Sequence, residues 1–301
     1  MDHHHCRVFE LPNSFENLTA LTELTVNGLY ENVTAQCPLL PTQLTRTLFV
    51  GQAITHLPES VCHLSVLSRL TLYQCRALTG LPESLGQLTA LTKLEMGHCA
   101  QLTRLPESTG QLAALTKLCI IFCRVLTGLP ESLGQLTALT NLDLTGCHAL
   151  THLPKSLGRL AALTNLDLLC CSALTGLPES LGQLAVLSNL NISYCDALTE
   201  LPESLGQLAA LKTLALSSCC AVKRLPVSFA FLPDDFWVPV YNLHALTFPP
   251  RTVAGRGIPA IRAYLLAHNH PLKIMLLILA ARRRRARHPP PELWGLIFEY
   301  L

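Results

Sequence analysis

Leucine recurs along the middle of the chain at a fixed interval. Leu-Pro pairs begin at Leu57, Leu81, Leu105, Leu129, Leu153, Leu177, Leu201 and Leu225, each 24 residues after the last. Self-similarity at such a period marks a solenoid, whose unit is too small to bury its own apolar face and hides it against its neighbours. In the second half of each unit, Leu-x-x-Leu-x-Leu-x-x-Cys sets apolar residues two apart, as in Leu142 and Leu144 or Leu166 and Leu168. That is the period of a short strand with one buried face. The other half, Leu-Pro-Glu-Ser-Leu-Gly-Gln-Leu, has its later leucines three apart and Pro near its start, which predicts a helical or 3₁₀ turn. Strands are expected on one wall and turns on the other.

The pattern weakens at both ends. Leu11-Pro12 with Leu18, Leu21, Leu24 and Val26 reads as a degenerate copy, but Leu11 precedes Leu57 by two residues fewer than two full periods. The irregular part is placed at Leu29 to Pro41, with Leu44 to Val50 as a shifted strand. Atypical terminal units are expected to cap an exposed core. Residues 1–56 are therefore read as an N-terminal cap, 57–224 as seven repeats and 225–250 as a C-terminal capping repeat, in which Phe229, Phe231, Phe236 and Trp237 cover the last coil. Residues 251–301 form a basic tail with helical spacing at Ile258 to His268, Leu272 to Arg287 and Pro291 to Leu301.

The unit resembles the leucine-rich repeat, in the 24-residue cytoplasmic form of plant intracellular disease-resistance proteins and Ras-group-related plant proteins. The resemblance rests on the in-phase copies between Leu57 and Arg224 and extends roughly from Leu11 to Pro250. It implies an α/β leucine-rich-repeat solenoid, with a curved parallel sheet on its concave face and short turns on its convex face, and a role in binding. Where the family usually has Asn after the strand, this chain has Cys75, Cys99, Cys123, Cys147, Cys171, Cys195 and Cys219. These thiols are read as an inward structural ladder, since zinc needs four ligands held tetrahedrally and a straight row does not supply them. A Gly-rich phosphate loop is missing, which excludes a nucleotide-binding domain.

Composition agrees with a continuous core: 50% of the 301 residues are hydrophobic and 14% charged. The net charge of +2 hides an asymmetry, because from Arg251 onward nine Lys or Arg face only Glu292 and Glu299. The amino terminus lacks an apolar signal region, and thirteen cysteines in repeat phase suit a reducing compartment. A cytoplasmic location is expected, with a nuclear one opened by the run Arg282 to Arg285 with Arg287. That run reads alternatively as an import signal, a patch for anionic lipid or nucleic acid, or a solvated helix end. Leu272 to Ala281 is too short to span a bilayer.

Because the outer arc repeats almost verbatim, the positions that vary between copies are the candidates for recognition. One outward row of the strands reads Arg69, Lys93, Lys117, Asn141, Asn165, Asn189, from cationic to amide. A second contains Glu95, Asp143, Asp167 and Asn191. The residues ahead of each Cys supply Tyr73, His98, Ile121, Phe122, Leu169 and Tyr194, of which Ile121, Phe122, Leu169 and Tyr194 are expected as exposed apolar anchors amid polar neighbours. Such anchors in a polar rim are what protein interfaces concentrate. The alternative is that Asn and Asp merely bond across adjacent coils.

Catalysis is not expected. Asp143 and Asp167 should be neighbours, but an open sheet gives them no pocket, and His98, His148 and His152 have no nucleophile beside them. Neither a cofactor nor a metal is expected, the histidines at positions 3 to 5 being read as a solvated terminus. The expected function is a non-enzymatic, monomeric interaction module, a scaffold or signalling regulator with a protein partner and no nucleic acid. The ending at Pro290, Glu292, Leu293, Ile297, Phe298, Tyr300 and Leu301 resembles the opening helix of an F-box, with Pro289 in place of the leading Leu and the chain stopping where the rest should follow. It implies an alternative role as a substrate adaptor that recruits a ubiquitin-ligase subunit through the tail.

Overall fold

Leucines two apart in each unit drive the chain into short strands, because only that pleat buries both of them on one side. A computed structural model of the chain describes residues 5–8, 19–28, 45–50, 54–232 and 242–268. Its strands are β1 (His5–Val8), β2 (Glu23–Asn27), β3 (Thr45–Val50), β4 (Arg69–Tyr73), β5 (Lys93–Gly97) and β6 (Lys117–Ile121), followed by β7 (Asn141–Asp143), β8 (Asn165–Asp167), β9 (Asn189–Asn191) and β10 (Thr213–Ala215). All pair in parallel in one sheet, in the order β1-β3-β2-β4 and then sequentially to β10. From β4 onward each residue faces its counterpart one period away, as Leu118 faces Leu142 and Asp143 faces Asp167.

The N-terminal end departs from simple stacking. Glu23 pairs directly with Arg69, and β3 lies on the far side of β2, next to β1. The two-residue deficit thus has a physical counterpart: Leu24 and Val26 continue the buried ladder straight into Leu70 and Leu72, while β3, which lies between them in sequence, pairs on the other side of β2. Of the three amino-terminal histidines expected in a solvated terminus, His5 instead opens β1 and pairs with Thr47, whereas His3 and His4, the capping segment around Phe236 and Trp237, the two later tail helices, the Arg282 to Arg287 run and the F-box-like ending all lie outside the described residues.

Opposite the sheet stand single 3₁₀ turns, for example Glu131–Gln135, Lys155–Arg159 and Glu203–Gln207. Pro precedes these three turns with an extended backbone, at Pro130, Pro154 and Pro202. Between the two walls run leucine ladders. Leu133, Leu136, Leu139, Leu142, Leu144 and Leu150 of one coil are all fully buried, each contributing about 1.5–3 kcal/mol of burial against the entropy of ordering the chain. Hydroxyls tie the coils together along the long axis: Thr116 Oγ1 donates to Thr92 O, Thr140 to Thr116 O and Thr164 to Thr140 O, each at 3.0 Å.

Two short helices follow, α1 (Arg251–Ala254) and α2 (Ile258–His268). Buried Ile258, Ile261 and Leu265 belong to the same core, and Arg262 Nε donates to Ala230 O at 2.7 Å in the last turn, Val227–Phe231. Helix α2 therefore packs on the last described turn of the solenoid. Among the described residues no helix is long and apolar enough to cross a membrane.

Candidate functional site on the outward strand face

The register brings the sequence-selected positions into rows. Arg69, Lys93, Lys117, Asn141, Asn165 and Asn189 face one another in turn. The cationic end is partly engaged: Arg69 lies 3.6 Å from Glu23, and Lys117 Nζ sits 2.6 Å from Glu95 Oε1. The hydrogen bond to Glu95 holds the Lys117 ammonium above its ordinary pKa. The amide end is a chain of bonds, Asn189 Nδ2 donating to Asn165 Oδ1 at 2.6 Å and Thr213 Oγ1 to Asn189 Oδ1 at 2.6 Å.

In the second row the acidic and amide residues turn back on their own backbone. Asp143 Oδ1 accepts from Thr145 N at 3.0 Å, Asp167 Oδ1 from Leu169 N at 2.9 Å and Asn191 Oδ1 from Ser193 N at 3.1 Å. These bonds give the backbone a turn partner instead of a ladder partner, and β7, β8 and β9 are three residues long where β4, β5 and β6 have five. Asn191 Nδ2 also donates to Asp167 Oδ1 at 3.1 Å. Asp167, Asn165, Asn189 and Asn191 thus tie coils together as well as facing outward. Where Asp143 stands in β7, the neighbouring strand carries Cys119, a buried thiol that burial pushes up to about 11.

Ahead of each ladder cysteine comes a residue with a left-handed backbone: Gln74 (φ 54°), His98 (56°), Phe122 (54°), Gly146 (73°), Cys170 (61°), Tyr194 (60°) and Ser218 (60°); Asn242 (57°) holds the same phase one coil on, ahead of Leu243. Glycine and asparagine adopt this region readily, whereas for a bulky side chain it is a genuine outlier. Aromatic rings gather here. His98 stacks on Phe122 with centroids 4.8 Å apart and planes at 14°, and Tyr73 meets His98 edge-on at 5.4 Å.

The expected set of exposed apolar anchors is corrected in one respect. Tyr194 is 51% exposed, but Ile121, Phe122 and Leu169 are only partly exposed. Phe122 leans over Gly146, where an added Cβ would come within 2.4 Å of its ring. The next coil lacks a side chain there, so the ring folds down and covers its backbone. The strain was missed in the sequence, although Gly146 and Asn242 in the same phase as Phe122 and Tyr194 signal it.

The ladder thiols point inward as donors, Cys147 Sγ to Ile120 O at 3.1 Å, Cys171 to Leu144 O at 3.3 Å and Cys219 to Ile192 O at 2.9 Å. Burial pushes the Cys219 thiol up to about 11 and those of Cys147, Cys171 and Cys195 higher still. They are held protonated and unreactive. Among the described residues no group of three or more His, Cys, Asp or Glu is placed to hold a metal.

In-register parallel strands, buried leucine ladders and single turns on the opposite wall define a leucine-rich-repeat solenoid. Among solved structures, the chain is similar to the leucine-rich repeat domain of the type III effector XopL, with a TM-score of 0.50 and 26% identity over 62% of this chain and 73% of that one. A leucine-rich-repeat protein of Leptospira interrogans aligns with a TM-score of 0.40 and 21% identity over 80% of each chain. No model of a known protein family and no curated protein matches the chain.

Proposed function

We propose that the protein is a non-enzymatic protein-interaction module, a scaffold or signalling regulator that holds a protein partner against the outward face of its strands. The observation that carries this reading is the left-handed rim. Tyr194 stands half exposed in a backbone conformation that Gly or Asn adopts at lower cost, and strain of this kind is retained where a side chain serves something other than folding. Along the same face, on the coils before it, lie Leu169, Phe122, Ile121 and His98, with Asn141, Asp143, Lys117 and Lys93 in the neighbouring rows, so that apolar side chains stand among polar ones. The similarity to a leucine-rich repeat domain of an effector protein agrees with it.

Comparative co-purification of the wild type with Phe122→Ala and Tyr194→Ala, followed by titration of the captured protein, tests the reading. Each substitution is expected to weaken binding about tenfold or more, the scale of an interface anchor. Retention of full affinity by both variants ends the assignment of this face.

A further inference from the structure

A second surface lies on the flank, where each coil passes from its cysteine to the next Leu-Pro pair. The residue just before the pair alternates in size: His56, Gly80, Arg104, Gly128, His152, Gly176. Two hollows result. One of about 800 Å³ centres on Gly80 between His56 and Arg104, and one of about 450 Å³ on Gly128 between Arg104 and His152. They share Glu83, Arg104 and Pro106, so they form one groove. A Cβ added at Gly80 or Gly176 meets nothing within 4 Å. These glycines are thus not required by packing.

The groove's geometry restricts what fits. Thr79 N donates to Thr55 O at 3.1 Å, Thr103 N to Thr79 O at 3.4 Å and Thr127 N to Thr103 O at 3.4 Å, so the coils here keep the spacing of a sheet. The same bonds use up the threonine amides, which denies an added β-strand its main-chain ladder. Hollows two coils apart recur every ~9.4–9.8 Å. A polyproline II helix repeats every three residues at about 3.1 Å per residue, or about 9.3 Å. A β-strand presents a side chain on one face every ~6.7 Å, and two turns of α-helix advance about 10.8 Å, so both fall out of step. The floor offers Pro58, Pro82 and Pro106, and the rim carries Glu59, Glu83 and Glu107 against Arg104 alone among its Lys, Arg, Asp and Glu; Glu59 accepts from Ser84 Oγ and Glu107 Oε2 from Ser132 N at 3.2 Å, which fixes their carboxylates in place and leaves their charge on the rim. The Arg104–Glu83 contact is loose, at 4.0 Å with both side chains largely exposed.

We propose that this flank groove binds a basic, proline-rich segment of a partner protein in the polyproline II conformation, every third residue entering a glycine hollow while its cations face the glutamate rim. The surface is separate from the strand face, so Phe122→Ala leaves it unchanged.

The test uses the full chain and a fluorescent synthetic peptide of repeated Arg-Pro-Pro triplets, beside a peptide of identical composition with all its arginines gathered at one end. The wild type is expected to bind the triplet peptide about tenfold more tightly, and the neutral fillers Gly80→Gln and Gly128→Gln to lose about tenfold each, a measurable step in affinity, with unfolding temperatures unchanged. Equal affinity for the two peptides, full binding by both filled variants, or no binding by any form overturns the proposal. Binding that appears only after Arg282→Gln, Arg283→Gln, Arg284→Gln and Arg285→Gln are combined also overturns it, by showing that the chain's own basic segment is the occupant.

Discussion

At the scale of single residues, backbone conformation and close approach decide what each side chain is worth. Tyr194 has φ 60° and is half exposed, so replacing it removes strain and little packing. Tyr194→Gly is expected to raise stability by about 1 kcal/mol, the cost of a left-handed non-glycine residue, while abolishing partner binding at the strand face. Urea denaturation and the co-purification assay measure the two effects separately. Glycines on the turn wall are of the opposite kind. A Cβ at Gly134 would lie 2.5 Å from Ser156 O, in the backbone of the next coil. Gly134→Ala is expected to cost about 1–3 kcal/mol through overpacking, whereas Gly176→Ala, in open space, is neutral or stabilises by up to ~1 kcal/mol through the unfolded chain. Equal denaturation midpoints for the two would contradict this account.

At the scale of elements, several 3₁₀ turns are completed by the Glu of the preceding coil. Glu203 Oε1 and Oε2 accept from Val227 N at 2.9 Å and Ser228 N at 2.8 Å, and Glu131 does the same for Lys155 and Ser156 at 3.0 Å. Slight burial raises the Glu131 pKa, but the backbone donors and the Lys155 ammonium outweigh it and hold the carboxyl below its ordinary value. Pro-Glu-Ser therefore repeats because the Glu of one coil satisfies the free amides that begin the next turn. The cysteine corners carry a pH dependence of their own. The folded pKa values of Cys99, Cys123, Cys147, Cys171, Cys195 and Cys219 lie above the ordinary 9.0, Cys219 at about 11, so the unfolded chain releases these protons first as pH rises. Stability is fully present below pH 9 and is expected to fall between pH 9 and 11. Denaturation midpoints at pH 7 and pH 10 check the sign, and a variant with the buried ladder cysteines replaced by Ala should show a flatter profile.

At the scale of the whole molecule, a stack in which each coil touches only its neighbours is as sound as its ends. Helix α2 lays Ile258, Ile261 and Leu265, all fully buried, against the last turn. Ile261→Ala is expected to destabilise the protein by about 2–4 kcal/mol and to increase hydrogen exchange first in the coils around Leu225. Uniform exchange along the solenoid would show that this helix does not secure the end. At the other end the order β1-β3-β2-β4 gives the sheet an edge built from chain far from its repeat phase.

What the amino-acid sequence determined by itself was the coil: its period, the phase of its strands, the burial of its leucines and cysteines, and the alignment of Arg69 through Asn189 on one face. Those features follow from apolar spacing, which acts within a few residues and repeats. Tertiary structure alone decided the rest. Whether Phe122 projects or lies over Gly146, why Gly134 admits no methyl group while Gly80 does, and where β3 pairs all depend on atoms that the stacking of coils brings from about one period or more away. No local pattern encodes those distances, because each is set jointly by two coils whose meeting is itself the product of the fold.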